Sequence, residues 1–350
     1  MKAKKLELRN FRNYSAEQID FCDSINIICG DNGMGKTNIA EAVYYFSHGR
    51  SFRSSGREII KDGEDKAKIR LCFESGERKF DGEIRFFGGK KKEIMLNEIE
   101  LKKTSQLLGN FICVLFTPDE LNIVKGMPEM RRKFCDSAIM PLRPNYIREL
   151  IRYRTVVSQK TALLKAEKYE TLSVWNEKMV ESGLKIINMR RSYIDKINLT
   201  AREMQKDISA GREILDIKYS PSVTDEESFR KKLELSSVKE KENRMCLCGP
   251  HRDDISFEIN GKAAKSYASQ GQIRTAVLCL KSAQMEIIKE VTGKYPVLLL
   301  DDILSELDKK RRDFLISEIS GKQVIITCTD IDFEAAGANI IKIKDGKAVR

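Results

Sequence analysis

A glycine-rich stretch near the N-terminus carries the residue types that hold phosphate groups. Residues 30–37 read G-D-N-G-M-G-K-T and fit the P-loop pattern G-x-x-x-x-G-K-[ST]. The apolar run before it predicts a strand and the run after it predicts a helix, whose N-terminus favours an anion. Lys36 is expected to reach the β- and γ-phosphates, and Thr37 to reach Mg²⁺. A chance glycine turn is the alternative. The residues assigned to nucleotide binding are Gly30, Asn32, Gly33, Gly35, Lys36, Thr37 and Asn38.

A second apolar run, residues 296–300, ends in Asp301 and Asp302. Two carboxylates at the end of a buried strand could bind a metal ion and activate water for phosphate hydrolysis. We assign Asp301 to Mg²⁺, directly or through water, and Asp302 to polarising the attacking water. A strand that ends in a solvated acidic turn is the alternative. Most of the chain separates this motif from the P-loop, which predicts a large insertion between two halves of one site.

A third motif opens a predicted helix over residues 271–289. Ser269, Gly271 and the helix N-terminus could together bind a second anion. One γ-phosphate does not need two such sites from the same lobe. The economical hypothesis is therefore a homodimer with two nucleotides between its subunits. An ordinary serine-capped helix is the alternative.

The composition limits the class of protein and its partners. The chain has 350 residues, 41% of them hydrophobic, and a net charge of +11. No apolar run is long enough to span a membrane, so we expect no membrane partner. The basic surplus favours a nucleic acid. Nine scattered cysteines lack the spacing of zinc ligands, which predicts reduced thiols and a cytoplasmic location.

The periodicity of apolar residues divides the chain into regions. Residues 66–116 alternate as half-buried strands do, and residues 128–242 take on helical spacing. Strands and helices return from residue 253. Lys90, Lys91 and Lys92 fall at a predicted hairpin tip, where a solvated loop is the ordinary interpretation and a DNA-contacting loop the alternative.

Several short stretches, taken in order, resemble the RecF family of SMC-like, ABC-type ATPases. The S-x-G-[QG] signature of such heads matches residues 269–272, and their D-loop matches residues 305–308. The stretches that resemble the RecF family more specifically are residues 8–14, 116–121, 124–126, 131–136, 249–254 and 300–308. They span nearly the whole chain.

The resemblance implies an α/β fold, in which an ABC-type P-loop ATPase head of two lobes, mixed sheet plus helices, carries an inserted α-helical arm. The head would comprise residues 1–127 and 246–350, and the arm residues 128–245. The family implies ATP and Mg²⁺ as ligands, an ATP-dependent homodimer and slow, DNA-stimulated hydrolysis. It also implies duplex DNA and single–double-strand junctions as partners, together with RecR- and RecO-type mediators that help load RecA in the nucleoid.

The resemblance also assigns roles to residues. Arg12 and Asn13 would lie near the adenine, and Ser269, Gly271 and Gln272 would act on the partner subunit's nucleotide. Thr327 or Thr329 would stand where many ABC ATPases carry a switch histidine.

Two departures from the wider ABC pattern concern hydrolysis. Asp302 replaces the usual glutamate, and no histidine occupies the switch position. Both fit slow turnover, with nucleotide acting as a clamp or timer. In addition, Thr117-Pro118-Asp119 stands where such heads place their glutamine loop, so contact of this loop with Mg²⁺ stays open.

Some alternatives stay open at this point. The ATP subunit of an ABC transporter and a small-molecule kinase share the P-loop. His251 could be a catalytic base, although a structural or domain-coupling role is favoured. Arg131 and Arg132 could bind DNA or phosphate, or pair with acids such as Glu129.

Overall fold

The computed structural model describes residues 1–53, 57–88, 92–330, 337–344 and 346–349. Its contacts separate two compact units. The first unit joins Met1–Leu121 to Lys281–Arg350, and the second is Asn122–Leu280. None of the helices in the described ranges combines the length and apolar character needed to cross a bilayer.

The strands are numbered along the chain. They are β1 Lys2–Phe11, β2 Tyr14–Asp20, β3 Ile25–Cys29, β4 Lys66–Ser75, β5 Arg78–Phe87, β6 Lys92–Leu96, β7 Ile99–Glu100, β8 Cys113–Phe116, β9 Leu215–Ser220, β10 Asp254–Ile259, β11 Lys262–Ala263, β12 Val297–Asp301, β13 Val324–Cys328, β14 Asn339–Lys344 and β15 Lys347–Val349.

The α-helices are numbered in the same way. They are α1 Lys36–His48, α2 Asn122–Lys125, α3 Pro128–Ile139, α4 Pro144–Lys165, α5 Leu172–Ile208, α6 Glu226–Asn243, α7 Ala264–Tyr267, α8 Gln270–Thr292 and α9 Lys309–Ile319. The division between the two units falls within α8.

The first unit is built on two sheets. One is antiparallel, in the order β2-β1-β4-β5-β6-β7, and β4 alternates between buried and partly exposed residues as a half-buried strand should. The other has the order β15-β14-β3-β13-β12-β8 and is parallel apart from β15. Its central strands β12 and β13 are buried along their whole length. Helix α1 packs against strands of both sheets, so its buried Ile39, Val43 and Phe46 lie in their common core.

The second unit consists mainly of helices. Helix α5 runs for 37 residues, and one face of it buries Met179, Ile187, Ile194 and Ile197. These residues belong to the apolar stripe that predicted helix packing, and the helical prediction for this segment is confirmed. The prediction missed β9, which pairs antiparallel with β10 in a small sheet. β9 was missed because six residues within a helical pattern carry little periodic signal.

The antiparallel sheet corrects the interpretation of Lys92 as a cation of a solvated loop. Lys92 begins β6, and its Nζ donates to the Gly49 carbonyl at 2.7 Å and lies 5.2 Å from the centre of the Tyr45 ring. Burial lowers the pKa of this amine. Lys90 and Lys91 lie outside the described residues.

A buried ionic network fixes the second unit. Arg190, 3% exposed, donates to Asp136 Oδ1 at 2.7 Å and to the Pro250 carbonyl at 2.7 Å. Tyr146 donates its hydroxyl to the same Asp136 oxygen at 2.5 Å. Desolvation opposes the charged form of Arg190, yet its negative and polar neighbours raise its pKa well above the ordinary value. The arginine therefore joins α3, α5 and the turn before β10 through charge-assisted bonds.

Replacing Arg190 by methionine should destabilise the second unit strongly. The change leaves Asp136 buried without its main cation, for which about 3–5 kcal/mol is typical. Chemical denaturation followed by circular dichroism measures the loss. Arg191→Met is the matched control, because it removes the same charge from the next, less buried residue. Equal losses in the two variants would contradict the assignment.

Candidate functional site

The carboxyl ends of three parallel strands bring the glycine-rich P-loop motif and the acidic motif to one edge of a sheet. β13 lies between β3 and β12, with Cys328 opposite Cys29 and Thr327 opposite Asp301. The loop that follows β3 and the aspartates that end β12 therefore lie across a single intervening strand. This edge is where open α/β sheets bind ligands.

The P-loop follows β3 and leads directly into α1. Gly30 has φ of +152°, and a Cβ there would lie 2.3 Å from the Ile343 carbonyl oxygen. Lys36 is 4% exposed, and its Nζ donates to the carbonyls of Gly30 at 2.7 Å and Asp31 at 3.0 Å. Asn32 and Gly33 form the exposed rim of the loop. The first N–H groups of α1 thus begin where the loop ends, as an anion site requires.

Thr37 and the two aspartates meet at this edge. Asp301 is 6% exposed, and its Oδ1 accepts from the Thr327 hydroxyl at 2.7 Å. Burial raises the pKa of Asp301, while hydrogen bonds from Thr327 and Thr37 oppose the rise. The backbone N–H of Asp302 lies 3.2 Å from the carbonyl oxygen of Thr327 and 3.1 Å from its hydroxyl oxygen. Thr327 therefore holds the carboxylate of Asp301 and the backbone of Asp302.

The oxygen atoms gathered here suit Mg²⁺. A hydroxyl and one or two carboxylates are its usual protein ligands when phosphate oxygens and water complete the shell. Across the described ranges, no group of three or more His, Cys, Asp or Glu could hold a metal ion alone. The donor set of Thr37 and Asp301 thus fits a cation shared with a phosphate.

The turn between β1 and β2 is bonded to the P-loop. Asn13 donates to the Met34 carbonyl at 2.9 Å and accepts from Asn38 Nδ2 at 2.8 Å. The Tyr14 hydroxyl donates to the Gly35 carbonyl at 3.1 Å. The turn therefore holds the loop in place, while contact of its residues with an adenine ring stays a prediction.

Arg12 occupies the same turn but points towards α1. Its guanidinium forms two hydrogen bonds, of 2.9 and 2.6 Å, with the carboxylate of Glu41, which is fully buried. A third bond reaches the Glu58 carbonyl at 2.7 Å. Arg12 thus fixes the turn against α1, and sequence reasoning missed its partner because Glu41 lies in an ordinary helical run.

Arg53 is a further residue that sequence reasoning missed. It donates to Asn38 Oδ1 at 2.8 Å, and its positive charge is close enough to lower the pKa of Asp301. The described part of the chain therefore places a cation beside the first turn of α1 and the acidic edge. An isolated arginine after a helix belongs to no short motif, so the sequence offered no signal for it.

Ser269, Gly271 and Gln272 belong to the second unit. The Ser269 hydroxyl oxygen accepts from Gln272 N at 3.2 Å, and Ser269 N donates to Gln272 Oε1 at 2.9 Å. This reciprocal pair is a capping box at the start of α8. The serine-capped helix of the sequence analysis is therefore present, with Ser269 exposed to solvent. A role of these residues towards a partner's nucleotide stays a prediction.

Other residues singled out in the sequence have structural partners. Thr327 is fully buried and committed to Asp301, whereas Thr329 is exposed after β13. Asp308, in the D-loop stretch, caps α9 by accepting from Arg311 N at 2.9 Å. Thr117-Pro118-Asp119 leads into a short turn, and the next residue, Glu120, forms a buried ion pair with Lys281.

The alternatives for His251, Arg131 and Arg132 are narrowed by their contacts. His251 lies 2.7 Å from the Tyr153 hydroxyl and 3.2 Å from the Cys246 carbonyl, and burial lowers its pKa to about 4. These contacts suit a neutral, structural imidazole. Arg131 pairs with Asp254 at 2.7 Å. Arg131 thus pairs with an acid, as one alternative expected, but the acid is Asp254, whereas Glu129 pairs with Lys133 at 2.8 Å.

The two-sheet unit, with its P-loop and acidic strand end, defines the class as a P-loop nucleotide-binding head of the SMC type. The family model for the RecF/RecN/SMC N-terminal domain matches residues 2–349. The DNA replication and repair protein RecF of Acetivibrio thermocellus is 42% identical over 93% of this chain and 92% of its own. RecF of Clostridium acetobutylicum is 40% identical over 99% of each chain.

Solved structures agree with this comparison. The recombination mediator protein RecF with ATP, in the RecFOR pathway, superimposes with a TM-score of 0.93 at 35% identity, over 99% of this chain and 96% of its own. An SMC head bound to a domain of ScpA shares the fold at a TM-score of 0.59 and 17% identity, over 99% of this chain and 96% of its own. The chain belongs to the RecF family of DNA replication and repair proteins. This assignment replaces the transporter and kinase alternatives.

Replacing Gly30 by alanine should distort the P-loop and abolish binding of a fluorescent ATP analogue. The new Cβ would clash with the backbone carbonyl oxygen of Ile343 in β14, which cannot move as a flexible side chain could. Gly63→Ala is the matched control, because Gly63 lies outside the P-loop and has φ of +82°, with no atom within 4 Å of the Cβ that alanine would add. It should lose about 1 kcal/mol from backbone strain and keep binding. Equal binding by both variants would contradict this account.

Proposed function

We propose that the protein is an ATP-dependent, DNA-binding recombination mediator. ATP would join two copies, which bind duplex DNA and single–double-strand junctions and, with RecO- and RecR-type partners, help load RecA during gap repair and replication restart. The proposal rests on one observation. The P-loop, Thr37, Asp301 and Asp302 surround one sheet edge in a chain that matches a RecF–ATP structure over nearly its full length.

Each residue of the edge has a role in this proposal. Lys36 and the loop N–H groups bind the β- and γ-phosphates, and Arg53 adds positive charge beside them. Thr37 and Asp301 hold Mg²⁺, which when bound neutralises charge between those phosphates. Asp302 orients the attacking water and accepts its proton. The Thr327 hydroxyl keeps the carboxylate of Asp301 in place and accepts from the backbone N–H of Asp302.

The dimer would complete each nucleotide site. Ser269 is exposed and its oxygen already accepts from Gln272 N, so its hydroxyl proton can be donated to a γ-phosphate on a second copy. Gly271 and Gln272 lie at the same helix N-terminus, which favours a negative group. In this proposal residues 1–127 and 246–350 form the ATPase head, and residues 128–245 form the arm.

The clamp would hold DNA chiefly through phosphate contacts. A net charge of +11 supports a polyanionic partner, and such binding should weaken steeply with salt. Slow hydrolysis would part the two heads and release the duplex. A protein that acts on chromosomal gaps belongs in the cytoplasm, near the nucleoid.

Replacing Ser269 by aspartate should prevent ATP-induced dimerisation while ATP binding persists. Aspartate still caps α8, so the helix is kept, but its charge repels a γ-phosphate. Light scattering with and without ATP measures dimerisation, and a fluorescent ATP analogue measures binding. Ser266→Asp, at a nearby exposed position, is the control and should dimerise normally. Normal dimerisation of the Ser269 variant would rule out the shared-site dimer.

Replacing Asp302 by asparagine should leave ATP-bound dimers intact and lower hydrolysis by about 10²–10⁴-fold, the usual contribution of a positioned base. An amide cannot accept the proton of water. Phosphate release and light scattering are the measurements. Asp313→Asn, an exposed change on α9, should hydrolyse ATP normally. Unchanged turnover in the Asp302 variant would remove this residue from the proposed chemistry.

A further inference from the structure

The basic surplus of the chain is concentrated in the second unit. Residues 122–280 contain 30 lysines and arginines against 21 aspartates and glutamates, while the rest of the chain contains 33 against 31. The first unit is therefore nearly neutral. The outer face of its antiparallel sheet follows the same rule, because Arg70 pairs with Asp81 and Lys68 with Glu83. A polyanion should be attracted chiefly to the second unit.

Within the second unit, two buried aspartates are surrounded by a larger number of arginines. Asp136 and Asp253 are 4% and 0% exposed. Oδ1 of Asp136 accepts from the buried Arg190 and Tyr146, and its Oδ2 accepts from the more exposed Arg154. Oδ2 of Asp253 accepts from Tyr219, and its Oδ1 accepts from the Ser222 N–H. Three of these four oxygens therefore neutralise the buried layer rather than the surface above it.

Three further arginines surround this buried layer, and we name them the outer arginines: Arg132, Arg154 and Arg252. Arg132 donates to the Asp253 carbonyl at 2.7 Å, and Arg252 donates to the Cys246 carbonyl at 2.8 and 3.2 Å. Arg154 forms an ion pair with Asp136 at 3.1 Å, and the Arg154 side chain is 60% exposed. Backbone carbonyls thus fix two of the guanidinium groups without cancelling their charge.

The outer arginines lie beside other cations as well as acids. Burial lowers the pKa of Arg132, and the nearby Arg190 lowers it further, although Asp253, Asp254 and Glu129 act in the opposite direction. Burial dominates the lowered pKa of His251, and Arg252 and Arg132 also contribute. The imidazole beside them therefore stays neutral, and the arginines remain the charged groups of this surface.

We propose that the outer arginines bind phosphate groups of the DNA backbone. A guanidinium held by one edge can present its other N–H groups to a phosphate in a fork, which a lysine cannot do. The three side chains come from α3, α4 and the turn before β10, so they form a fixed surface rather than a flexible tail. The inference rests on the proposed function, because it names the surface through which that DNA is bound.

The test compares glutamine variants in a duplex-binding titration at several salt concentrations. Glutamine keeps N–H donors on an uncharged side chain, so Arg132→Gln with Arg252→Gln removes the charge while keeping a hydrogen-bonding group at each position. We expect the slope of log affinity against log salt to fall by about two, one for each lost phosphate contact. Affinity near physiological salt should fall by about ten- to a hundredfold, whereas ATP-induced dimerisation and the thermal midpoint stay close to wild type.

Arg148→Gln is the matched control. Arg148 lies on α4 like Arg154, its side chain is 72% exposed, and the same charge is removed. If it weakens binding as much as Arg132→Gln or Arg252→Gln alone, general attraction explains the effect and the inference fails. Wild-type binding by the double glutamine variant would also overturn it. Arg132→Lys with Arg252→Lys should bind at an intermediate level, and full recovery would refute the fork geometry.

Failure of the inference can be told apart from failure of the proposed function. If the wild-type protein with ATP does not bind duplex DNA at low salt, the proposed function fails, and this inference fails with it. If wild type binds and the double glutamine variant binds equally well, only the assignment of the surface is lost.

Discussion

The parallel pairing of β3, β13 and β12 is the constraint on which the site depends. Strands from opposite ends of the chain are placed side by side, with one residue of β13, Thr327, between the P-loop strand and Asp301. The Thr327 hydroxyl donates a hydrogen bond to the carboxylate of Asp301 and accepts one from the backbone N–H of Asp302. A slip of one residue in this register would turn Thr327 to the opposite face and separate all of these groups. The hydrophobic burial of the three strands therefore fixes the geometry of the polar edge.

The structure uses arginine in two distinct ways. Arg12 and Arg190 are bonded to buried carboxylates, where they fix the P-loop turn and the helical unit respectively. Arg53 and the outer arginines remain partly or fully exposed and are held by neutral groups or a shared acid. The net charge of the chain counts all of these arginines equally. Their contacts distinguish them, because only the exposed arginines leave positive charge available to a phosphate.

The sequence predicted the parts of the fold that follow a strong local rule. The P-loop, the apolar strand before Asp301, the helical segment and the family were all identified, and the structure and comparisons agree. What it could not predict depended on contacts between distant residues. Three pairs show this: Arg12 with Glu41, Arg53 with Asn38, and Arg131 with Asp254. The partners are separated by 15 to 123 residues in the chain, and no periodic pattern in the sequence predicts such pairs. β9 was missed because a strand of six residues within a helical pattern gives a weak signal.

The presence of aspartate rather than glutamate at position 302 has a conformational explanation. Asp302 adopts φ of +53°, in the left-handed region, immediately after a buried strand. Aspartate enters this region more readily than most other residues, because its short side chain can bond to nearby backbone. Bonds from the Asp302 N–H to Thr327 hold the conformation. A glutamate there would gain reach but lose this local preference. The departure from the wider ABC pattern is therefore consistent with a backbone turn that selects the shorter acid, and the shorter acid in turn favours the slow hydrolysis proposed for the clamp.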